Sequence, residues 1–259
     1  TGPWTGLPAY DLVIQALSGA MAVNGEDGGA PLKFGESIAD LAGGVFASWA
    51  ILAALVKRGR SGAGATLDIA MHDALFALLP TAQAQLFYGG REPARVGNRH
   101  PLSTPFGCFR AADGSFALCV LNEKHFAKLA SLMGHAGLES DPRFCSDSAR
   151  TQNEPALKAI IETWSRSISA EQAVSLLTGV GLTAAPIRSF SEAASSAQAM
   201  ARQTVVALPH GSLGSVKVVP QPVWFDGAKP MAHASAPALG AAGDDILRDL
   251  GLLDAEALS

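Results

Sequence analysis

The chain has 259 residues, of which 48% are hydrophobic and only 16% charged, against ~25% charged in an average soluble domain. A formal net charge of −4 supplies no basic field for nucleic acid, and the length allows one large domain or two modest ones. With so few charges, small residues, other subunits or a further part of the same protein must cover much of the surface.

Residues 10–23 carry apolar side chains at helical spacing (Leu12, Val13, Ala16, Leu17, Ala20) and stop at a Gly-rich polar break over 25–29. A helix is predicted over 38–57, with Ser37 as N-cap, Asp40 three residues on in capping-box position, and Lys57 and Arg58 at the C-terminal end of the dipole. Within it lies the longest uncharged run, 41–56, with two glycines and a serine. That run falls short of the ~20 apolar residues of a membrane span, so it is expected to be a buried helix, and no membrane is expected as a partner.

Alternation over 66–71 predicts a short strand, followed by an apolar helix over 74–86 and a candidate linker at 89–93. Phe106, Phe109, Phe116, Leu118 and Val120, around a turn at 112–114, predict a hairpin. Helices are predicted over 124–133, 154–167 and 170–178, followed by a short run at 185–187. Strand signals return at 205–208, 216–219 and 223–225, and a Pro/Ala-rich tether over 229–237 leads to a final helix over 244–250. The pattern is an α/β piece, a linker, a small α+β domain and a return segment.

Cys108, Cys119 and Cys145 match no zinc spacing and fit a reducing, cytoplasmic setting, so no metal is expected. The opening Thr1-Gly2-Pro3-Trp4 is turn chemistry with neither an initiator Met nor a signal peptide, which leads us to expect a fragment.

Asp40 carries the strongest chemistry. A carboxylate at a helix N-terminus sits among free backbone N–H groups that keep it ionised and could hold an oxyanion forming beside it. Small neighbours, Ala39, Ala42, Gly43 and Gly44, leave room for a bulky group. The competing reading is that Asp40 completes a capping box with Ser37. The loop 95–101 is dense in polar groups: Arg95, Arg99 or its backbone amides could clamp a carboxylate beside His100, or Gly97 and Asn98 could form an ordinary turn. His72 and Asp73 follow the predicted strand end, with Asp73 read as a helix cap. His125, His135, His210 and His233 lack ligand spacing, Met71 alone reads as core, and no Ser-His-Asp order, P-loop or dinucleotide fingerprint is present.

Several strings, in order along nearly the whole chain, give a resemblance. They are Thr1-Gly2-Pro3, Ala9-Tyr10-Asp11-Leu12, Ser37-Ile38-Ala39-Asp40-Leu41-Ala42-Gly43-Gly44, Leu67-Asp68-Ile69-Ala70-Met71, Gly97-Asn98 with Pro105-Phe106-Gly107, Asp141-Pro142-Arg143-Phe144 with Arg150, Ala185-Pro186-Ile187 and Asp244-Asp245-Ile246-Leu247. Together the chain resembles the class III CoA-transferases, a family that includes formyl-CoA transferase, carnitine CoA-transferase and the alpha-methylacyl-CoA racemases. The resemblance implies an α/β fold: 1–88 as part of a Rossmann-like large CoA-binding domain, 89–104 as linker, 105–190 as a small α+β domain, and 191–259 as a segment returning to the large domain. It implies Asp40 as the nucleophile toward an acyl-CoA thioester, with a carboxylic acid as acceptor and no permanently bound cofactor. Tyr10 is implied beside the substrate, Met71 along the CoA thiol arm, and Gly97, Asn98 and His100 at the entrance. The family's interlocked homodimer would account for the low charge.

There are departures from the family pattern. The resemblance implies that the family's N-terminal Rossmann-like half, with most CoA contacts, is not expected within these residues; Pro8 replaces a basic residue of some transferases, and Gly240-Ala241-Ala242 stands where many have Gly-Glu-His. Racemase relatives carry a histidine where this chain has Tyr10, and a phenol of ordinary pKa ~10 is a poor base for an α-proton at neutral pH, which favours transfer. A racemase-like isomerase and a catalytically silent fragment are the rival expectations.

Overall fold

In a computed structural model, residues 2–231 and 234–252 are described; Thr1, His233 and part of the tether at 229–237 lie outside them. The chain forms two compact units, Thr1–Ile187 and Arg188–Ser259.

The first unit opens with helices. The periodic stretch 10–23 divides into α1 (Asp11–Leu17) and α2 (Ala20–Val23) because Gly19 turns left-handed at φ 82°. α3 (Ile38–Ser61) runs for 24 residues, longer than predicted, and Gly62 ends it with its N–H on the Arg58 carbonyl at 2.8 Å. The expected strand at 66–71 does not form. Residues 63–70 carry no regular structure, with Ala70 extended just before the next helix, and the segment joins no sheet among the described residues. The helix predicted over 74–86 is instead α4 (Met71–Ala77) and α5 (Pro80–Phe87). Pro80 supplies no N–H for a continuous helix and therefore starts a new one.

Ile14, Ala39 and Leu75 form a small buried cluster where α1, α3 and α4 meet. Elsewhere α3 departs from the buried helix expected: Leu41, Val45, Trp49, Leu52 and Val56 are each more than half exposed, and only Ala39 and Ala42 are buried. At 24 residues α3 is also long and apolar enough, by length and composition, to cross a membrane, so the expectation that the run falls short is corrected. The charges that interrupted the count, Asp40 and Lys57 onward, belong to the same helix.

The main core lies further along. β1 (Phe106–Arg110), β2 (Ser115–Cys119) and β3 (Thr183–Pro186) form an antiparallel sheet in that order, with Phe109 opposite Phe116. Packed against it are α6 (Glu123–Leu132), α8 (Glu154–Ser165) and α9 (Ala170–Gly179), with the short α7 (Asp147–Gln152) set beside α8. Phe116, Leu118, Phe126, Leu129, Phe144, Leu157, Ile161 and Leu177 are fully buried, each contributing ~1.5–3 kcal/mol of apolar burial.

In the second unit, α10 (Phe190–Ala194) and α11 (Ala197–Ala201) are capped by Ser189 and Ser196. A hairpin of β4 (Val206–His210) and β5 (Gly214–Val218) follows, and α12 (Gly243–Asp249) matches the final predicted helix. The strand expected at 223–225 is reduced to one bridge, Phe225 to Ala228.

Candidate active site

The capping box predicted for α3 is not made. Ser37 occupies the N-cap position without a side-chain bond, and the Ala39 amide donates instead to Asp11 Oδ1 at 2.8 Å. Asp11 is the first residue of α1, and its other oxygen accepts from Gln15 Nε2 at 2.6 Å. Gln15 is 1% exposed, and its Oε1 accepts the Phe34 amide at 2.8 Å. Asp11 therefore ties the start of α1 to the start of α3, which sets the residues beside each end near one another: Tyr10 before Asp11 and Asp40 after Ala39.

With the cap supplied from elsewhere, Asp40 is released from the ordinary role weighed for it. It is exposed, and among the described residues its carboxylate makes no hydrogen bond or ion pair. Ile38 N–H is bonded to the Glu36 carbonyl and Ala39 N–H to Asp11, while the Asp40 amide has no acceptor among the described residues. A free carboxylate and a free amide thus stand together at the positive end of a 24-residue helix.

One turn on, a Cβ added at Gly43 would come within 3.3 Å of Met71 Cγ, whereas Gly44 faces open space. The missing side chain lets α4 seat Met71 against α3 directly below Asp40. Met71 thus lies against the first turns of α3, and it lines a cavity of about 540 Å³ with Trp4, Ala9, Val13, Ile14 and His72. His72 Nδ1 lies 3.2 Å from Asp73 Oδ1, with Phe76 stacked on its ring and Trp4 edge-on. Asp73 is not the helix cap expected: α4 starts two residues before it, with no side-chain cap.

Gly97, Asn98 and His100 form a second group. Gly97 N–H donates to the Gly25 carbonyl at 2.9 Å, and its φ of 62° lies in the left-handed region that favours glycine. The Asn98 carbonyl accepts from Cys108 at 2.9 Å, and His100 N–H donates to the Phe106 carbonyl at 2.7 Å while the two rings stack at 5.0 Å. Arg95 is unavailable as a carboxylate clamp, because its guanidinium donates to the Gly29 and Ala22 carbonyls at 3.0 and 3.2 Å. Arg99 is half-buried, has no hydrogen bond or ion pair among the described residues, and lines a polar cavity of about 170 Å³ with Asn98, Cys108, Glu154 and Lys158. Burial pushes the Cys108 thiol up, with Lys158 opposing. No hydrogen bond among the described residues joins this group to Asp40, Tyr10 or Met71.

A profile described as CoA-transferase family III matches residues 1–243. The chain belongs to CoA-transferase family III. Among relatives of this family III chain, an acetyl-CoA:oxalate CoA-transferase of Acetobacter aceti is 34% identical over 99% of the chain and 65% of its own length. A succinate–glutarate CoA-transferase of Agrobacterium fabrum is 29% identical over 99% of the chain and 64% of its own length. The crystal structure of a CAIB/BAIF family protein from Brucella suis superposes with a TM-score of 0.82 at 30% identity, covering 96% of this chain and 65% of that one. The family III chain thus spans about 65% of the length of the curated relative from Acetobacter. The mixed α/β architecture of helices and sheets is shared with this structural neighbour of the family over the part that the chain covers. Sequence reasoning missed Asp11 and Gln15 as the pair that sets the site; the Asp11 bond reaches across 28 positions, and no local pattern announces it.

Proposed function

We propose that this chain carries the nucleophile of an acyl-CoA:carboxylate CoA-transferase, with Asp40 as that nucleophile. The observation that carries the reading is the free Asp40 carboxylate beside its own free amide, at a helix start already capped by Asp11. An Asp40 oxygen attacks the thioester carbonyl, the C–S bond breaks, and CoA leaves as thiolate, giving a mixed anhydride. The thiolate attacks the Asp40 carbonyl of that anhydride, releases the donor acid as carboxylate and leaves an aspartyl-CoA thioester. The acceptor carboxylate attacks this thioester and again expels the thiolate. The thiolate takes the acceptor's acyl carbon and restores Asp40. Throughout, the amide at the helix start is a donor for the oxyanion, Tyr10 borders the substrate, and Met71 lines the thiol arm.

The relatives named for oxalate and for succinate and glutarate support a short dicarboxylic acid as acceptor. The Gly97, Asn98 and His100 loop would form the entrance wall. We assign the working enzyme to the cytoplasm on its three free cysteines, and to a homodimer on the exposed apolar face of α3. CoA thioester enters as substrate, with no resident cofactor.

Incubation with acyl-CoA and hydroxylamine, followed by peptide mass mapping, should leave a hydroxamate on Asp40. Asp40→Asn should lower kcat by about 10³-fold or more. An active Asp40→Asn enzyme, or label on another residue, contradicts the assignment. A CoA titration of this chain by itself tests whether it binds CoA.

A further inference from the structure

We propose that Arg150 is a positioning residue for the substrate loop, acting through Thr104. The proposal rests on the reading of Gly97, Asn98 and His100 as the entrance wall. Arg150 has no exposed surface and is the largest fully buried side chain among the described residues. A guanidinium in such a place must be fully bonded, because a buried charge without partners is strongly destabilising.

Arg150 meets that demand in a directed way. One edge is paired with Glu123 of α6, at 2.6 and 3.3 Å, and its face lies 4.5 Å from the centre of the Phe126 ring. Nη1 also donates to the Phe144 carbonyl at 3.1 Å, and Nε points elsewhere, donating to the Thr104 carbonyl at 2.7 Å.

The rest of Thr104 is held by the same short helix, α7. Its amide donates to Asp147 Oδ1 at 2.9 Å, and its hydroxyl accepts from Thr151 Oγ1 at 3.2 Å. All three polar groups of Thr104, a residue 3% exposed, are thus taken by Arg150, Asp147 and Thr151. A residue fixed at its amide, carbonyl and hydroxyl cannot shift without breaking several bonds at once.

From Thr104 the constraint passes along the chain to the loop. Pro105 follows, its carbonyl accepting from Val120 at 2.9 Å; then Phe106 holds His100 by backbone bond and ring stack. Two residues on, Cys108 holds the Asn98 carbonyl. The core therefore sets where Asn98 and His100 stand by way of one gripped threonine, and Arg150 is its centre.

Three variants test this: Arg150→Lys keeps the charge but loses the fork, Thr151→Val removes one peripheral hydrogen bond, and Thr104→Val removes the hydroxyl. Steady-state kinetics with acceptor acid and acyl-CoA varied separately are combined with melting temperature and hydrogen exchange of the His100 and Cys108 amides. Positioning predicts that Arg150→Lys, Thr151→Val and Thr104→Val all raise the acceptor KM and quicken exchange at those amides by about tenfold. The acyl-CoA KM should change little in all three, and the melting temperature should fall for Arg150→Lys but change little for the two threonine variants. An unchanged acceptor KM, or loss shared equally by both substrates in step with melting, overturns the proposal. Asn98→Ala and His100→Ala separate the two layers. If these leave the acceptor KM unchanged, the entrance-wall reading itself fails; if they raise it while the Thr104 and Thr151 variants do not, only the positioning role fails.

Discussion

Asp11 does for α3 what Ser37 is expected to do, and this single exchange changes what Asp40 is free to be. Asp11→Ala removes the acceptor of the Ala39 amide and leaves the Nε2 of buried Gln15 only its longer bond to the Glu36 carbonyl, at 3.3 Å in place of 2.6 Å. The expected cost is about 1–2 kcal/mol, read as a lower denaturation midpoint, together with a lower yield of the Asp40 hydroxamate. Asp11→Asn should recover only part of that, because an amide NH₂ then faces Gln15 Nε2 while Gln15 Oε1 is already held by the Phe34 amide. Full recovery of both readouts by Asn would show that the charge and both oxygens do not matter. Gly43→Ala puts two effects against each other. Ala is better than Gly in a helix interior by about 1 kcal/mol, while the new methyl presses Met71 Cγ from 3.3 Å. Because the Met side chain is flexible, stability should hold or rise, and the acyl-CoA KM should increase as Met71 is displaced. A fall in melting temperature would contradict this balance.

At the level of elements, α6 and α7 depend on a charge pair whose pH behaviour has a definite sign. The hydrogen bond from Arg150 holds the Glu123 carboxyl below its ordinary value, against a smaller upward pull from burial. A carboxyl whose folded pKa is depressed adds stability above its unfolded value of ~4.3 and loses it as pH falls through the lower folded value. Denaturation midpoints should therefore drop on acidification below about pH 4.3, and Glu123→Gln should be less stable at pH 7 with a flatter acid limb. An acid limb identical to that of the unmodified chain would refute the role of the pair.

Which elements were legible follows from how local their cause is. Helical periodicity and Gly stops predicted α1, α3, α6, α8, α9 and α12, and Phe109 opposite Phe116 confirmed the hairpin. The alternation of Leu67 and Ile69 is real, but a strand is a property of two segments, and no partner lies among the described residues. α10 was missed even though Ser189 and Glu192 form a complete capping box, a signal the sequence carried. Asp40 was a candidate from its place at a helix start, where a capping role competed, and the family resemblance decided between the two and added Tyr10. The bond that frees Asp40 was hidden, because its ends are 28 residues apart.

For the whole molecule the decisive feature is the apolar surface that α3 leaves exposed. Val45, Trp49, Leu52 and Val56 of α3 are 66%, 56%, 64% and 58% exposed. Their spacing of four, three and four residues makes one continuous stripe along the helix, the pattern by which a helix seats against another. Apolar surface of this extent promotes association at ~25 cal/mol per Å² removed from water. The isolated chain should therefore self-associate with rising concentration in sedimentation velocity. The double variant Val45→Glu, Leu52→Glu should move the distribution toward monomer while far-UV circular dichroism stays unchanged, since neither side chain takes part in the chain's own core. A chain that sediments as monomer at every concentration, or a double variant that associates as before, would show that the stripe is not what drives association.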